Sequence, residues 1–270
     1  MFFSRNQGLI NPYKLALTLM LSRINWDIQP IARRQHRKII GWKNKYLHQK
    51  ALILCNGPSL KNVDLEQIQA SGVFTIGLNK IHLLFEKTSF RPSIIVAVNP
   101  HVIRQSADAY HNLQIPLFLD YRFAKELGER EHIHYITTDN LCGHFAQDCS
   151  LSINQGYTVT YVAMQLAFHM GFSQVGLVGC DHYFSTKGPS NSVVTSGEHD
   201  PNHFSPDYFA NGATWQLPDL VGSEFHYEMA RRTFEENQRE LVNCTDGGQL
   251  DLLSRVPLET FLPPSQHHNP

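Results

Sequence analysis

Several features that define common protein classes are missing from this sequence. None of its five cysteines forms a CxxC pair, and an odd number favours buried, reduced thiols over a disulfide framework. No apolar run approaches the roughly 18–20 residues of a membrane span. The short apolar stretch at residues 15–21 has no small-residue cleavage site nearby, so we expect no secretory signal and a cytoplasmic protein.

Acidic residues are almost absent from residues 1–50, which hold ten Lys or Arg and one acidic residue, Asp27. The rest of the chain holds thirteen basic and twenty-three acidic residues, so the net charge of −1 hides a strong asymmetry. We interpret residues 1–50 as a basic, amphipathic N-terminal extension. It either lies on an anionic membrane surface, as a peripheral protein would, or packs on the domain or on a second subunit. No nucleic-acid-binding motif accompanies the charge, and we expect no nucleic-acid partner.

The remaining chain has the composition of a globular domain, with 42% hydrophobic and 11% aromatic residues. Strand-like and helix-like segments alternate, which predicts an α/β fold with an open, mostly parallel, Rossmann-like sheet and helices on both faces. The predicted strands are Leu52–Cys55, Val73–Leu78, Ile94–Val98, Leu117–Leu119, His132–Ile136, Val175–Val178 and Leu241–Cys244. The predicted helices are Asp64–Ala70, Val102–Tyr110, Phe123–Leu127, Thr160–Met170 and Glu224–Arg239. We place this domain at residues 51–262 and predict a disordered tail at residues 263–270.

The segment Leu52–Leu60 organises the domain. Its four apolar residues predict a buried parallel strand, which Asn56-Gly57-Pro58 ends sharply. Ser59 is placed to cap the helix start that follows. Such a corner directs free backbone N–H groups outward and suits an anion, although an ordinary strand-to-helix turn has the same pattern.

Polar residues also follow three other predicted strands at the point where each strand ends. Asn79 and Asn99 follow the second and third strands, and Asp181 follows the strand Val175–Val178. The carboxyl ends of parallel strands share one edge of a sheet, so these side chains and Asn56 predict a polar ligand site. Asn is also common at strand ends because it tolerates turn geometry.

Residues 182–218 show no convincing helix or strand period, and a loop of this length predicts a lid over a site. Within this lid, His203 is the leading candidate for a general base, because imidazole titrates near neutrality. A lid histidine bonded to a backbone carbonyl is the alternative. The helix after the lid is expected to bury Phe225, Met229 and Phe234.

Two clusters offer weaker metal hypotheses. His199, Asp200 and His203 supply ligand atoms, but Pro201 between them argues against a regular helical turn. The second cluster matches no standard zinc spacing and consists of Cys142, His144 and Cys149. We therefore expect no metal site.

Three hydroxyl side chains complete the candidate site. Tyr183, just after Asp181, is placed to donate its O–H to a leaving phosphate, or to act as an aromatic wedge. Thr158 and Thr160 lie at the start of a predicted helix, where hydroxyls either cap the helix or hold a phosphate at its positive end.

Several of these segments together resemble the bacterial CMP-sialic-acid-dependent sialyltransferases of glycosyltransferase family 42. They also resemble a wider superfamily that includes motility-accessory-factor glycosyltransferases and MptE-like 6-hydroxymethylpterin diphosphokinases. The resemblance covers about residues 51–205 and leaves residues 1–50 outside. It is carried by Asn56-Gly57-Pro58-Ser59-Leu60, Asn79, Asn99-Pro100, Gly171-Phe172 and Gly179-Cys180-Asp181-His182-Tyr183, with His203 in a similar lid.

The resemblance implies a metal-independent, inverting glycosyltransferase with a nucleotide-sugar donor, expected to be CMP-linked, and a surface-glycan or glycolipid acceptor. It implies that Asn56, Asn79 and Asn99 hold the nucleotide. We add Gly57, Ser59, Thr158 and Thr160 to the nucleotide-binding candidates because of their positions at the turn and at the helix start. Asp181 supports the nucleotide pocket. Tyr183 stabilises the leaving phosphate, and His203 deprotonates the acceptor.

Two departures from the family pattern bear on the donor. Val159-Thr160 stands where CMP-sialic-acid enzymes have Ser-Gly, and a second lid tyrosine has no clear counterpart other than Tyr208. The alternative, an MptE-like diphosphokinase, needs carboxylates for magnesium and ATP. Here Gly77-Leu78-Asn79-Lys80 contains no acidic pair, and Asp181 stands alone. A catalytically silent nucleotide-binding scaffold is the third hypothesis.

Overall fold

The computed structural model describes residues 11–140 and 143–264. The strands are β1 Lys50–Leu54, β2 Phe74–Leu78, β3 Ile94–Ala97, β4 Leu117–Asp120, β5 Ile133–Ile136, β6 Thr138–Asp139, β7 Ile153–Asn154, β8 Gln174–Val178, β9 Val193–Thr195, β10 Thr214–Gln216 and β11 Glu240–Asn243. The α-helices are α1 Pro12–Asp27, α2 Pro30–Ile40, α3 Leu65–Ser71, α4 Pro100–Gln105, α5 Ala107–Asn112, α6 Ala124–Leu127, α7 Val159–Met170, α8 Leu220–Glu236 and α9 Leu258–Phe261. Short 3-10 helices cover Pro58–Asn62, Asn79–Leu84 and Tyr121–Phe123.

A seven-stranded sheet forms the centre, in the order β11-β8-β1-β2-β3-β4-β5, and all of its strand pairs are parallel. The predicted open α/β fold is confirmed. The central strands consist of continuous apolar residues. Helices or loops cover both faces of the sheet, so polar residues need not alternate with apolar ones along a strand. Leu52 and Leu54 of β1 pack in one core cluster, whereas Ala51 and Ile53 pack in the other, as the two-residue period of a strand requires.

The order of the strands reverses between β1 and β8. From β1 the chain proceeds outward through β2, β3, β4 and β5, while β8 and β11 lie on the other side of β1. At such a reversal the loops after the two central strands leave in opposite directions and open a crevice at the strand carboxyl ends. Asn56 and Asp181 follow β1 and β8, so both lie at this reversal point.

The two sheet faces are covered differently. The face below α7 and α8 is closed by helices, and α7 is buried along almost its whole length. The other face is closed partly by aromatic residues from the predicted lid, which join the same core cluster as Leu52 and Leu54. These lid residues are Phe204, Tyr208, Phe209 and Trp215.

Three local predictions were wrong. The predicted helix Val102–Tyr110 is two helices, α4 and α5, which meet at Ser106. The predicted lid contains the antiparallel pair β9 and β10, whose strands are too short for a recognisable period. Phe225, expected in the buried stripe of α8, is 59% exposed, because that helix turns His226, Tyr227 and Phe234 towards the core instead.

The N-terminal region forms two helices, separated at Pro30, which begins α2. Helix α2 lies along the edge strand β5, where Gln35 Oε1 accepts the Tyr135 N–H at 3.0 Å. Lys38 Nζ donates to three backbone carbonyls, and Arg34 pairs with Glu129 at 2.6 Å. Much of the basic excess therefore holds α2 on the domain.

Some sequence-based predictions can be followed only in part. Cys55, Cys149, Cys180 and Cys244 are buried and free, as predicted, while Cys142 lies outside the described residues. The beginning of the basic extension, residues 1–10, and most of the predicted tail, residues 265–270, also lie outside them. In the part of the chain that is described, no helix is long and apolar enough to cross a membrane.

Candidate functional site

A hydrogen-bonded corner joins the ends of β1 and β8. The Gly57 N–H donates to Gly179 O at 2.9 Å, and the Ser59 hydroxyl donates to Asp181 Oδ2 at 2.8 Å. The Ser59 N–H also donates to both oxygens of the Asp181 carboxylate at 3.2 and 3.3 Å. The prediction that Ser59 caps the following helix was wrong, because its hydroxyl donates to Asp181 and the 3-10 helix has no side-chain cap. The Gly57 and Ser59 N–H groups, expected to be free for an anion, donate to Gly179 O and Asp181 instead. Asp181 thus supports the turn after β1 through Ser59.

Gly57 is required at this corner because another chain segment approaches it closely. A Cβ atom on Gly57 would overlap the Asp181 carboxylate and lie 2.7 Å from Gly179 O. The Gly57 backbone itself has φ of −69°, a conformation open to any residue. The glycine is therefore selected by space and not by backbone conformation.

Two buried amide oxygens face this edge of the sheet without partners. Within residues 11–140 and 143–264, Asn56 Oδ1 and Asn79 Oδ1 are buried and accept no hydrogen bond. Buried polar atoms are nearly always paired, because leaving one unpaired costs about 1–3 kcal/mol. Orphaned acceptors at neighbouring strand ends are consistent with a ligand that supplies donors, such as a nucleotide base or ribose.

The lid places an imidazole–carboxylate pair above this edge. His203 Nδ1 lies 2.7 Å from Asp200 Oδ2, and both side chains are largely buried. The Asp200 carboxylate also accepts the N–H groups of Asn202 at 2.8 Å and Phe209 at 3.2 Å. Because a carboxylate accepts, the proton of neutral His203 resides on Nδ1, and Nε2 is left as the basic atom.

Aromatic rings fix the plane of the His203 imidazole. It stacks on Tyr208 with ring centroids 4.0 Å apart and parallel planes, and the edges of Phe209 and Trp215 approach it at 5.3 and 6.2 Å. Lid geometry is stabilised further by Asn202, whose Oδ1 accepts the backbone and hydroxyl groups of Ser185. His203 is consequently preorganised by both a hydrogen bond and a ring stack.

Backbone and side-chain contacts connect the lid to the strand ends. The Phe204 N–H donates to Asn56 O at 3.0 Å. Burial raises the pKa of Tyr208, and interactions with the Lys80 backbone and the Asn79 side chain oppose this rise. Asn56, Asn79 and His203 are thus brought into one region, with Tyr208 between the second asparagine and the histidine.

Lys80 adds a buried cation next to Asn79. Its Nζ donates to Tyr208 O at 2.6 Å and lies 4.8 Å from the centre of the Phe209 ring. Burial lowers the pKa of Lys80 to about 8, although the charge of Asp200 acts in the opposite direction. Lys80 therefore places a positive charge, largely shielded from solvent, beside Asn79 at the carboxyl end of β2.

The hydroxyls at the start of α7 lie on the other side of the corner. Thr158 caps α7 by accepting the Thr160 N–H at 3.3 Å, and Thr160 is buried 3.8 Å from the Cys55 sulfur. Burial raises the pKa of Tyr227 well above its usual value, and interactions with Thr160 and Thr158 partly oppose the rise. Thr158 thus acts as a cap, and both hydroxyls also face Tyr227.

Two predicted site residues have less direct connections. Asn99 lies at the end of β3, but its Oδ1 caps α4 by accepting the N–H groups of His101 and Val102 at 2.9 and 3.4 Å. Tyr183 is 48% exposed, and its ring has Lys187 Nζ 5.0 Å from its centre. The described contacts do not link Tyr183 to His203 or to Asp181.

The metal hypotheses find little support in the donor geometry. Asp200 is engaged by His203 and two backbone amides, whereas the His199 side chain is exposed. Across the described ranges there is no group of three or more His, Cys, Asp or Glu side chains arranged to hold a metal ion. The cluster that includes Cys142 extends outside those ranges.

The sequence of this chain matches a known protein family. The family described as 6-hydroxymethylpterin diphosphokinase MptE-like matches residues 27–187, which is more than half of the chain. The chain belongs to the MptE-like family. The match runs from the end of α1 through α2, the β1 corner and Asp181, and stops before His203. The predicted resemblance to this superfamily is confirmed, and it extends further towards the N-terminus than the expected boundary at residue 51.

A solved structure shares the fold. The glycosyltransferase MAf from Magnetospirillum magneticum AMB-1 superposes with a TM-score of 0.51 at 15% sequence identity. The alignment covers 93% of this chain and 43% of that protein, so this MptE-like chain spans less than half of its structural relative. No curated protein matches the sequence.

Sequence reasoning missed two residues of the site. From the sequence, Asp200 is a candidate only for metal binding, although its spacing of three residues from His203 also suits a turn in which the two side chains meet. Lys80 belongs to a segment whose one informative feature in the sequence is that it contains no acidic residue. No sequence pattern distinguishes a buried lysine from the exposed lysines of a loop, so Lys80 could be found only from the structure.

Proposed function

We propose that this chain is a glycosyltransferase that moves a sugar from a nucleotide-activated, CMP-linked donor to the hydroxyl of a surface glycan or glycolipid. The observation that carries the proposal is the His203–Asp200 pair, held over strand ends at which Asn56 and Asn79 have unpaired oxygens. The MAf glycosyltransferase supports the fold on which such a site is built.

The reaction follows from the positions of these groups. His203 Nε2 takes the proton of the acceptor hydroxyl, while Nδ1 keeps its hydrogen bond to Asp200. The acceptor oxygen forms a bond to the anomeric carbon, and the bond from that carbon to the phosphate oxygen breaks on the opposite face. The electron pair leaves with the nucleotide, and the anomeric configuration inverts.

Leaving-group charge is balanced by the chain's own residues. Lys80 provides positive charge beside Asn79, and Tyr208 is the lid tyrosine nearest to His203. Tyr183 is assigned to the leaving phosphate by the family resemblance and needs a change of position to reach it. The buried aromatic lid excludes water, which otherwise competes with the acceptor.

A second function is favoured by the family match. Members described as 6-hydroxymethylpterin diphosphokinases suggest transfer of a diphosphate from ATP, with magnesium held by carboxylates and phosphates. In this chain the two carboxylates at the site, Asp181 and Asp200, are engaged by Ser59 and His203. These contacts favour the metal-independent sugar transfer over the magnesium-dependent reaction.

A thermal-shift screen distinguishes the two functions. We would compare CMP, CDP, UDP, GDP and ATP, each with and without magnesium, on the full chain. A ligand at one hundred times its Kd stabilises the fold by about 2.7 kcal/mol, which is readily detected. Stabilisation by CMP without magnesium is expected, and Asn56→Ala should abolish it while the exposed control Asn112→Ala does not. Stabilisation by ATP only with magnesium supports the diphosphokinase and contradicts the sugar transfer.

A further inference from the structure

Helix α1 carries a stripe of apolar side chains that nothing in the described chain covers. Its members recur at i, i+4, i+7, i+8, i+11 and i+15, which is the spacing of one helix face. All are exposed, and Tyr13 is 85% exposed. This α1 stripe consists of five helix residues and the C-cap residue that follows them, namely Tyr13, Leu17, Met20, Leu21, Ile24 and Ile28.

The side of α1 that faces the domain is separate from this stripe. Trp26 is buried and packs on the Tyr121 ring with centroids 4.9 Å apart. Trp26 lies about half a helical turn away from Ile24, so the stripe points away from the domain. Helix α1 therefore packs on the domain through one face and exposes apolar side chains on the opposite face. An exposed apolar patch of this kind is typical of a surface that binds a partner.

Unpaired positive charge lies on α2, the helix that follows the stripe in the chain. Arg33 and Arg37 are exposed one turn apart on α2, and neither forms an ion pair within the described residues. They border a cavity of about 400 Å³ between α1, α2 and the end of β5, which His36 also lines. Asp27, the acidic residue at this cavity, is already paired with Arg23 at 2.7 Å.

The positive charge of this region favours an anionic bilayer over a second copy of the chain as the partner that covers the stripe. Arg33 and Arg37 are exposed and unpaired within the described residues, so a second copy of this surface would bring these like charges together. An anionic bilayer attracts the same residues and has an apolar interior for the stripe. Helix α1 is 16 residues long, shorter than the roughly 20 residues that a membrane-spanning helix needs.

We propose that the α1 stripe docks on an anionic lipid bilayer, with the exposed Arg33 and Arg37 of α2 contacting lipid phosphates. The surface is independent of the chemistry at His203, and it does not require the proposed sugar transfer. Docking through α1 would hold the domain at the membrane without a spanning helix.

Vesicle flotation of the full chain tests this proposal. Vesicles of phosphatidylglycerol and phosphatidylcholine should carry the protein upward, and vesicles of phosphatidylcholine alone should not. Met20→Gln/Ile24→Gln should weaken binding at least about tenfold, because the apolar contact is lost. The control Val221→Gln/Phe225→Gln, which changes two exposed apolar residues of α8, should bind like the wild type.

Charge is tested separately. Arg33→Gln/Arg37→Gln should weaken binding to the anionic vesicles roughly thirtyfold. The control Lys87→Gln/Lys187→Gln makes the same change in net charge at two exposed lysines outside α1 and α2 and should have little effect. Absence of flotation with anionic vesicles overturns the proposal, as does equal weakening by test and control variants. A dimer that Met20→Gln/Ile24→Gln converts to monomer in sedimentation also overturns it, since a second copy then covers the stripe.

Discussion

His203 Nδ1 lies 2.7 Å from Asp200 Oδ2, three residues earlier in the chain. The carboxylate is itself fixed by the backbone N–H groups of Asn202 and Phe209. This arrangement orients the imidazole and leaves Nε2 as the proton acceptor, which is the requirement for a general base. In the proposed transfer, the same carboxylate would stabilise the imidazolium formed when His203 takes the acceptor proton.

Asp200→Asn should impair transfer without impairing nucleotide binding. An amide nitrogen next to Nδ1 favours the wrong tautomer of His203, so we expect a rate lower by roughly 10²–10⁴-fold and an altered pH–rate profile. Steady-state kinetics over a pH series provides the measurement. The exposed lid residue Asp207 supplies the control Asp207→Asn. A change in KM alone would contradict the positioning role of Asp200.

Gly57→Ala should disrupt the corner between β1 and β8. The new methyl group overlaps the Asp181 carboxylate and approaches Gly179 O, so the Ser59–Asp181 contacts must shift. We expect a loss of about 1–3 kcal/mol in the free energy of unfolding, together with weaker nucleotide binding. Urea unfolding and calorimetric titration measure the two effects.

Gly197→Ala is the matched control for this substitution. A Cβ atom at Gly197 meets no atom within 4 Å, so neither stability nor binding should change. Wild-type nucleotide affinity in Gly57→Ala would show that the corner is not part of the binding site.

Lys80→Met should raise stability in a pH-dependent way. Burial lowers the folded-state pKa of Lys80 to about 8, below its usual value of 10.5, so the unfolded chain binds more protons between these values. The wild type is therefore penalised below pH 8, and the penalty disappears as the pH rises from 8 to 10.5.

The stability difference between Lys80→Met and the wild type should consequently be largest near pH 7 and shrink in alkali, by up to about 1.4 kcal/mol per pH unit. Urea unfolding at a series of pH values measures it, with exposed Lys87→Met as control. A pH-independent difference would mean that Lys80 is not buried as a cation.

His134→Phe should make the fold less sensitive to acid. His134 stacks on Phe118 with centroids 4.9 Å apart, and burial lowers its pKa to about 4. As the pH falls from 6.5 to 4, the unfolded chain takes up a proton that the folded chain resists, and stability falls. Replacing the imidazole of His134 should make the loss of stability towards low pH less steep. Thermal unfolding between pH 7 and 4 measures this loss. Exposed His199→Phe should leave the decline unchanged, and an equal flattening there would contradict the explanation.

The sheet could be predicted from sequence because its strands are unbroken apolar runs separated by helices. Leu52–Cys55 and Val175–Val178, for example, differ from β1 and β8 by no more than two residues at an end. Hydrophobic burial on both faces determines these segments locally. The helix break at Ser106 and the β9–β10 hairpin depend on tertiary contacts that short sequence windows do not contain.

The candidate site was only partly accessible to sequence reasoning. The strand-end position of Asn56 and Asn79 follows from the parallel sheet, and their unpaired oxygens could be seen only in three dimensions. Asn99 illustrates the alternative, because its side chain caps α4 as ordinary strand-end asparagines do. The role of Asp200 depends on a lid conformation held by aromatic packing, which no period in residues 182–218 reveals.

The most direct test of the account compares His203→Asn with the wild type in one assay of nucleotide release from a CMP-linked sugar in the presence of acceptor. We expect His203→Asn to bind CMP with an affinity within about twofold of the wild type. Its rate of transfer should fall roughly 10²-fold or more. Transfer at the wild-type rate by His203→Asn would contradict the assignment of His203 as the base.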